Sequence, residues 1–240
     1  HAYDDALQVR AGMAMSALVE GDVDECQRIL DEIAGQRTGP SFGAMMIESA
    51  AAAELALARG DLAAGLRLYL VAVEEMRDVR FAGMEPSGLE PWTLLAEAAG
   101  LMAHARHGRT PADVRTADEL AVTTIERTVA LLREQPMHLD YPVTGMSFAA
   151  LAGWLLASDD PRRRRLGVDA LALADGFSYN RTLPVMAWAP LAEAAERVAS
   201  GRLAALREEY DGRPGRELLG EALDLLDEVA VLVRARAGSG

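Results

Sequence analysis

A few groups of residues in this chain have the types and spacing to do chemistry. His104 and His107 stand three apart and can face one metal ion if they share a helix. No HExxH pattern or adjacent acid completes a ligand set, and two imidazoles in a last helical turn are accounted for by the helix dipole. His138 and Asp140 share a loop, where they can form a polar couple or simply hold the loop together. Gly145-Met146-Ser147-Phe148-Ala149 begins like a nucleophile elbow but lacks the second Gly, a preceding strand and an acid–His pair in the required order. The paired acids Glu74-Glu75, Asp159-Asp160 and Glu208-Glu209 have no partner base. No catalytic residue, cofactor site or metal site is assigned.

The richest group is Tyr179, Asn180, Arg181 and Trp188 around Pro184. A planar guanidinium, an amide and two aromatic walls suit a ligand or peptide groove. They equally suit a loop that locks two hairpins, with Arg181 bonding carbonyls at a helix end. Together with His138 and Asp140 they form the candidate ligand- or partner-binding set. Met13, Met15, Met45 and Met46 offer either an adaptable surface or core filling, and core filling is the expectation. Arg162 to Arg165 is the one basic run; it can touch phosphate or an acidic partner, and a solvated helix start neutralised by Asp159 and Asp160 is the expectation.

The bulk composition limits the function class. The formal net charge of the 240 residues is −13, which disfavours direct nucleic-acid binding by this segment. Every cationic side chain apart from histidine is Arg, so a P-loop nucleotide site and Schiff-base chemistry, which need Lys, are excluded. Cys26 is the single cysteine, so no internal disulfide forms. No apolar run of about 18 residues occurs, and the expectation is a cytoplasmic protein that does not enter a membrane. His1 at the start and Gly238-Ser239-Gly240 at the end suggest a fragment of a longer chain.

Helices must position these residues. Ala and Leu dominate, and β-branched runs are scarce. Ala17-Leu18-Val19-Glu20-Gly21-Asp22 is echoed 39 positions on by Ala56-Leu57-Ala58-Arg59-Gly60-Asp61. In each, Gly ends one helix and Asp caps the next. Leu62, Leu66, Tyr69, Val73 and Met76 then recur at helical spacing. Helix, Gly-Asp turn, helix is the tetratricopeptide hairpin, whose period is about 34 residues. Residues 92–106 read as a helix ending at His107-Gly108, and Thr110-Pro111-Ala112-Asp113 opens another. A fourth unit runs from Val143 to Ala157, turns at Ser158-Asp159-Asp160-Pro161 and continues to Ala174. A fifth spans Met186 to Val198, and a last helix aligns Leu218, Ala222, Leu225, Val229 and Leu232. Loops are expected over 35–43, 80–91, 135–142 and 176–184. The predicted fold is all-α: a tetratricopeptide-like hairpin array, a right-handed α-α superhelix, as one domain over 1–240.

Three stretches carry a family resemblance: Phe81-Ala82-Gly83-Met84-Glu85-Pro86-Ser87-Gly88-Leu89-Glu90-Pro91-Trp92, His138-Leu139-Asp140-Tyr141-Pro142-Val143, and Tyr179 through Trp188. They resemble the C-terminal helical-repeat region of large transcriptional activators of high-GC bacteria. These are of the antibiotic-regulatory (SARP) type, with a bacterial transcriptional activation domain (BTAD) and a nucleotide-binding domain; maltose-regulator-type activators carry a similar array. The resemblance implies that DNA and ATP are bound by upstream domains and that the repeats sense a signal or mediate assembly. The implied partners are a protein or the regulator's own upstream domains, or a small-molecule effector, and a homodimer is compatible with it. The alternatives are a free-standing scaffold and an all-helical enzyme.

Overall fold

The computed structural model describes residues 2–36, 42–80, 83, 85–134 and 142–237, with side chains for all of these but 2–5, 36, 42–47 and 235–237. Among them it forms eleven α-helices and no strand. They are α1 (Ala2–Val19), α2 (Val23–Gln36), α3 (Phe42–Ala58), α4 (Leu62–Arg77), α5 (Pro91–His107) and α6 (Pro111–Glu134). They continue as α7 (Pro142–Leu156), α8 (Pro161–Gly176), α9 (Trp188–Val198), α10 (Arg202–Tyr210) and α11 (Leu219–Ala237). The chain is therefore an all-α array in which α1 packs on α2, α3 on α4, α5 on α6 and α7 on α8. Successive hairpins meet through α1–α3, α4–α5 and α5–α7.

The two Gly-Asp turns close by the same hydrogen bonds. Gly21 N–H donates to Leu18 O at 3.1 Å and Asp22 N–H to Ala17 O at 2.8 Å; Gly60 and Asp61 donate to Leu57 O and Ala56 O, both at 3.0 Å. This is the Schellman arrangement, which needs a left-handed residue at the turn, and the glycines supply it with φ of 84° and 81°. The aspartates then cap the next helices, Asp22 accepting from Glu25 N–H at 2.9 Å and Asp61 from Ala64 N–H at 3.0 Å. Thr110 and Asp113 form the expected reciprocal capping box at the start of α6.

The same turn recurs a third time, unannounced by glycine. At the end of α8, Ser178 N–H donates to Asp175 O at 2.9 Å and Tyr179 N–H to Ala174 O at 3.3 Å. Ser178 takes the left-handed place with φ 55°, alone among the described non-glycine residues. A side chain in that region carries about 1–2 kcal/mol of strain. This cap extends α8 two residues past the expected Ala174 and fixes where the following segment starts.

Helix α7 is the centre of the core: every residue from Val143 to Leu155 is buried. Ser147 lies inside it, its hydroxyl bonded back to Val143 O at 3.2 Å, so the Gly145-Met146-Ser147 sequence is a helix interior and not an elbow. The main apolar cluster spans α3 to α11; a second joins α1, α2 and the end of α3, and Leu183 packs against both. Among the described helices none is long and apolar enough to cross a membrane.

Two carboxylates are buried among the described residues. Glu97 on α5 is 1% exposed and receives Arg77 of α4 at 2.6 Å and Arg127 of α6 at 2.8 Å, tying three helices together. Glu54 on α3 is 4% exposed and faces the segment after α8.

Candidate functional site

Residues 178–187 leave the end of α8 and run back along the first hairpins as a strap. Three anchors hold it. The Glu54 carboxylate accepts Val185 N–H at 2.7 Å and the Tyr69 hydroxyl at 2.7 Å. Arg106, in the last turn of α5, donates to the carbonyls of Pro184 and Val185. The Tyr179 hydroxyl donates to Met186 O at 3.2 Å, closing the strap on itself before the 3₁₀ turn Pro184–Met186 leads into α9. Burial is the main reason the Glu54 carboxyl titrates above its ordinary range and the Tyr179 phenol is pushed up to about 12.

The start of the strap packs too closely on α7 for any side chain larger than hydrogen at Gly145. A Cβ there would lie 2.7 Å from Tyr179 N and 2.9 Å from Ala174 O, backbone atoms that cannot step aside cheaply. The position of Tyr179 is thus set by the strained cap behind it and by contact with α7.

Tyr179, Arg181 and Trp188 come together as the sequence grouping anticipated. The Tyr179 and Trp188 ring centroids are 6.3 Å apart, and the Arg181 guanidinium carbon lies 4.9 Å from the first and 4.5 Å from the second. Arg181 does not bond carbonyls at a helix end. Its partner is the Asp175 carboxylate. Asp175 also receives Arg207 of α10 at 2.6 Å, and Arg207 lies 5.0 Å from the Trp188 centroid. Neither Asp175 nor Arg207 was singled out by sequence, because no local spacing links α8, the strap and α10. Asn180 accepts Thr182 N–H at 2.8 Å through its side-chain oxygen, an Asx turn that leaves the side-chain NH₂ as a donor. His138 and Asp140 lie outside the described residues.

Beside the strap lies a cleft of about 720 Å³, walled by α1, α3, α4, α5, α7 and residues 180–183. Its floor is apolar: Met15, Met76, Leu95, Met146 and Leu183 face it among alanines. Its polar lining is Asn180, Arg181 and Thr182 on the strap side and Ser16 and Glu20 on the α1 side. Met15 is both core and cleft wall, whereas Met13 is 54% exposed; the side chains of Met45 and Met46 lie outside the described residues.

The other candidates stay apart from this cleft. His104 is buried with Nδ1 against Gly100 O at 2.9 Å, and burial holds both it and His107 below the ordinary histidine range. Among the described residues no group of three or more His, Cys, Asp and Glu is placed to hold a metal ion. In the basic run, Arg162 pairs with Glu228 of α11 at 2.8 Å and Arg163 lies 4.2 Å over the Trp154 ring, while Asp160 caps α8 through Arg162 N–H. Arg162 and Arg163 thus reach α11 and α7. No family model, curated protein or solved structure matches the chain.

Proposed function

We propose that this chain is the sensing and interaction module of a bacterial transcription regulator of the antibiotic-regulatory type that its sequence resembles. It works by binding, and the cleft beside the strap is where an effector or partner is received. The observation that carries this reading is the cleft itself. Its volume falls in the range of roughly 300–1,000 Å³ usual for ligand sites. It is apolar with polar groups gathered at its rim, and its walls come from five helices and a segment more than 100 residues distant from the first of them. A ligand seated there touches the strap and the first hairpins at once. It therefore favours whichever arrangement of the two it fits better, and that difference in affinity is the signal passed to the rest of the regulator.

The test is native mass spectrometry of the purified chain incubated with a small-molecule extract of its host. Ala96, half-buried on the cleft wall, is replaced in a second sample by Phe to fill the space. A mass adduct on the wild type that is missing from Ala96→Phe supports the reading. Adducts on both chains, or on neither, contradict it.

A further inference from the structure

The charges around the strap narrow the class of ligand. Asp175 is one carboxylate serving two guanidinium groups, Arg181 and Arg207, both drawn up to Trp188. The cluster carries one positive charge beyond what Asp175 neutralises, in a chain whose formal net charge is −13. Arg181 is the member that forms part of the cleft wall, and its side chain is 42% exposed. Only its Nη2 is engaged by Asp175, so Nε–H and Nη1–H₂ are left to donate. Its neighbours on that rim, the Asn180 amide and the Thr182 hydroxyl, also offer donors. Three donor groups, one of them cationic, are the surroundings an anion selects.

A second lining residue sets a limit. Glu20, just past the end of α1, also lines the cleft and repels a second negative charge. The space between is filled by groups that suit flexible hydrocarbon. Three thioethers, Met15, Met76 and Met146, adapt their shape to what they enclose. The one aromatic side chain among the described lining residues, Tyr69, has its hydroxyl committed to Glu54 and offers the cleft only carbon.

We infer that the cleft takes an aliphatic monocarboxylate, its carboxylate on Arg181 and the strap donors and its chain among the methionines. This rests on the reading of the cleft as the effector site. Arg181 is already oriented to receive a carboxylate. The Asp175 pair and the two aromatic rings fix the plane of the guanidinium, so little side-chain freedom is lost when the ligand arrives.

Isothermal titration of the whole chain with dodecanoate, below its micelle-forming concentration, and with 1-dodecanol separates head from tail. Dodecanoate is expected to bind about 10- to 100-fold more tightly than the alcohol, the ratio given by a hydrogen bond to a charged group. Arg181→Gln should bring the two ligands to within about twofold of each other by removing that charged partner, Arg181→Lys should keep part of the preference, and Ala96→Phe should abolish both. Circular dichroism of each variant establishes that it is folded. Equal binding of acid and alcohol by the wild type, or a preference that survives Arg181→Gln, overturns the assignment of a carboxylate while leaving the cleft as a binding site. Binding of neither probe overturns the aliphatic class. The broader reading fails separately, when host-derived adducts are indifferent to Ala96→Phe.

Discussion

The Glu54 carboxylate and the Val185 amide meet at 2.7 Å across 131 positions of chain. Glu54 sits on the second hairpin and Val185 on the strap, so one buried hydrogen bond joins the start of the array to the segment that walls its cleft. The Tyr69 hydroxyl completes the site from α4.

Glu54→Ala leaves both donors buried and unpaired and should lower the unfolding free energy by roughly 3 kcal/mol. Glu54→Gln keeps an acceptor and removes the charge. Burial places the folded-state pKa of Glu54 above its unfolded value of 4.5, so the folded protein holds this proton more tightly. Its contribution to stability is complete below that value and is lost as pH rises through the folded pKa. Urea unfolding should therefore show Glu54→Gln faring better, relative to the wild type, at pH 7.5 than at pH 5. A difference that is the same at both values would show that Glu54 does not titrate in this window.

Ser178 occupies a place that its two counterparts, Gly21 and Gly60, fill without strain. Ser178→Gly should raise stability by about 1 kcal/mol, and Gly60→Ala should lower it by a similar amount, since a Cβ at Gly60 meets no atom within 4 Å and only the backbone objects. Thermal unfolding of the two variants should thus move in opposite directions. Strain retained at Ser178, directly before Tyr179, is of the kind stored beside functional segments.

The net charge of −13 and the engagement of Arg162 and Arg163 with Glu228 and Trp154 leave little cationic surface for phosphates. Anisotropy titration with a labelled duplex at near-physiological salt should give nothing tighter than non-specific association, about 10⁻⁴–10⁻⁶ M. Sub-micromolar binding that weakens steeply with salt would contradict this.

What the sequence made legible were features whose signal is local. The Gly-Asp turns, the Thr110 capping box and the stripe Leu62, Leu66, Tyr69, Val73 and Met76 are each confined to a few residues; the turns and box form as expected, and the stripe is buried but for the half-buried Leu62. The third Schellman turn was hidden because serine does a glycine's work. Helix α10 was hidden because only Leu203 and Tyr210 of it are buried, too few to make a stripe. Glu54 and Glu97 look like surface acids in alanine-rich helices until partners 131, 20 and 30 positions away are in place. At the site, the aromatic and Arg181 side chains were readable as a group, since they sit in one segment. Asp175 and Arg207, which orient Arg181, come from helices on either side of it and share no spacing with it.

The central claim is that the strap is a functional wall of the cleft and not merely packing, and Arg181→Ala tests it most directly. The side chain is partly exposed, paired with one carboxylate and laid over two rings, interactions each worth about 1 kcal/mol or less at such a site. Calorimetric unfolding of Arg181→Ala should fall by only about 2–4 °C for each kcal/mol lost. Native mass spectrometry of the same sample should show that the adduct held by the wild type is gone. A variant that melts far lower yet still holds the adduct whenever it is folded would contradict the account.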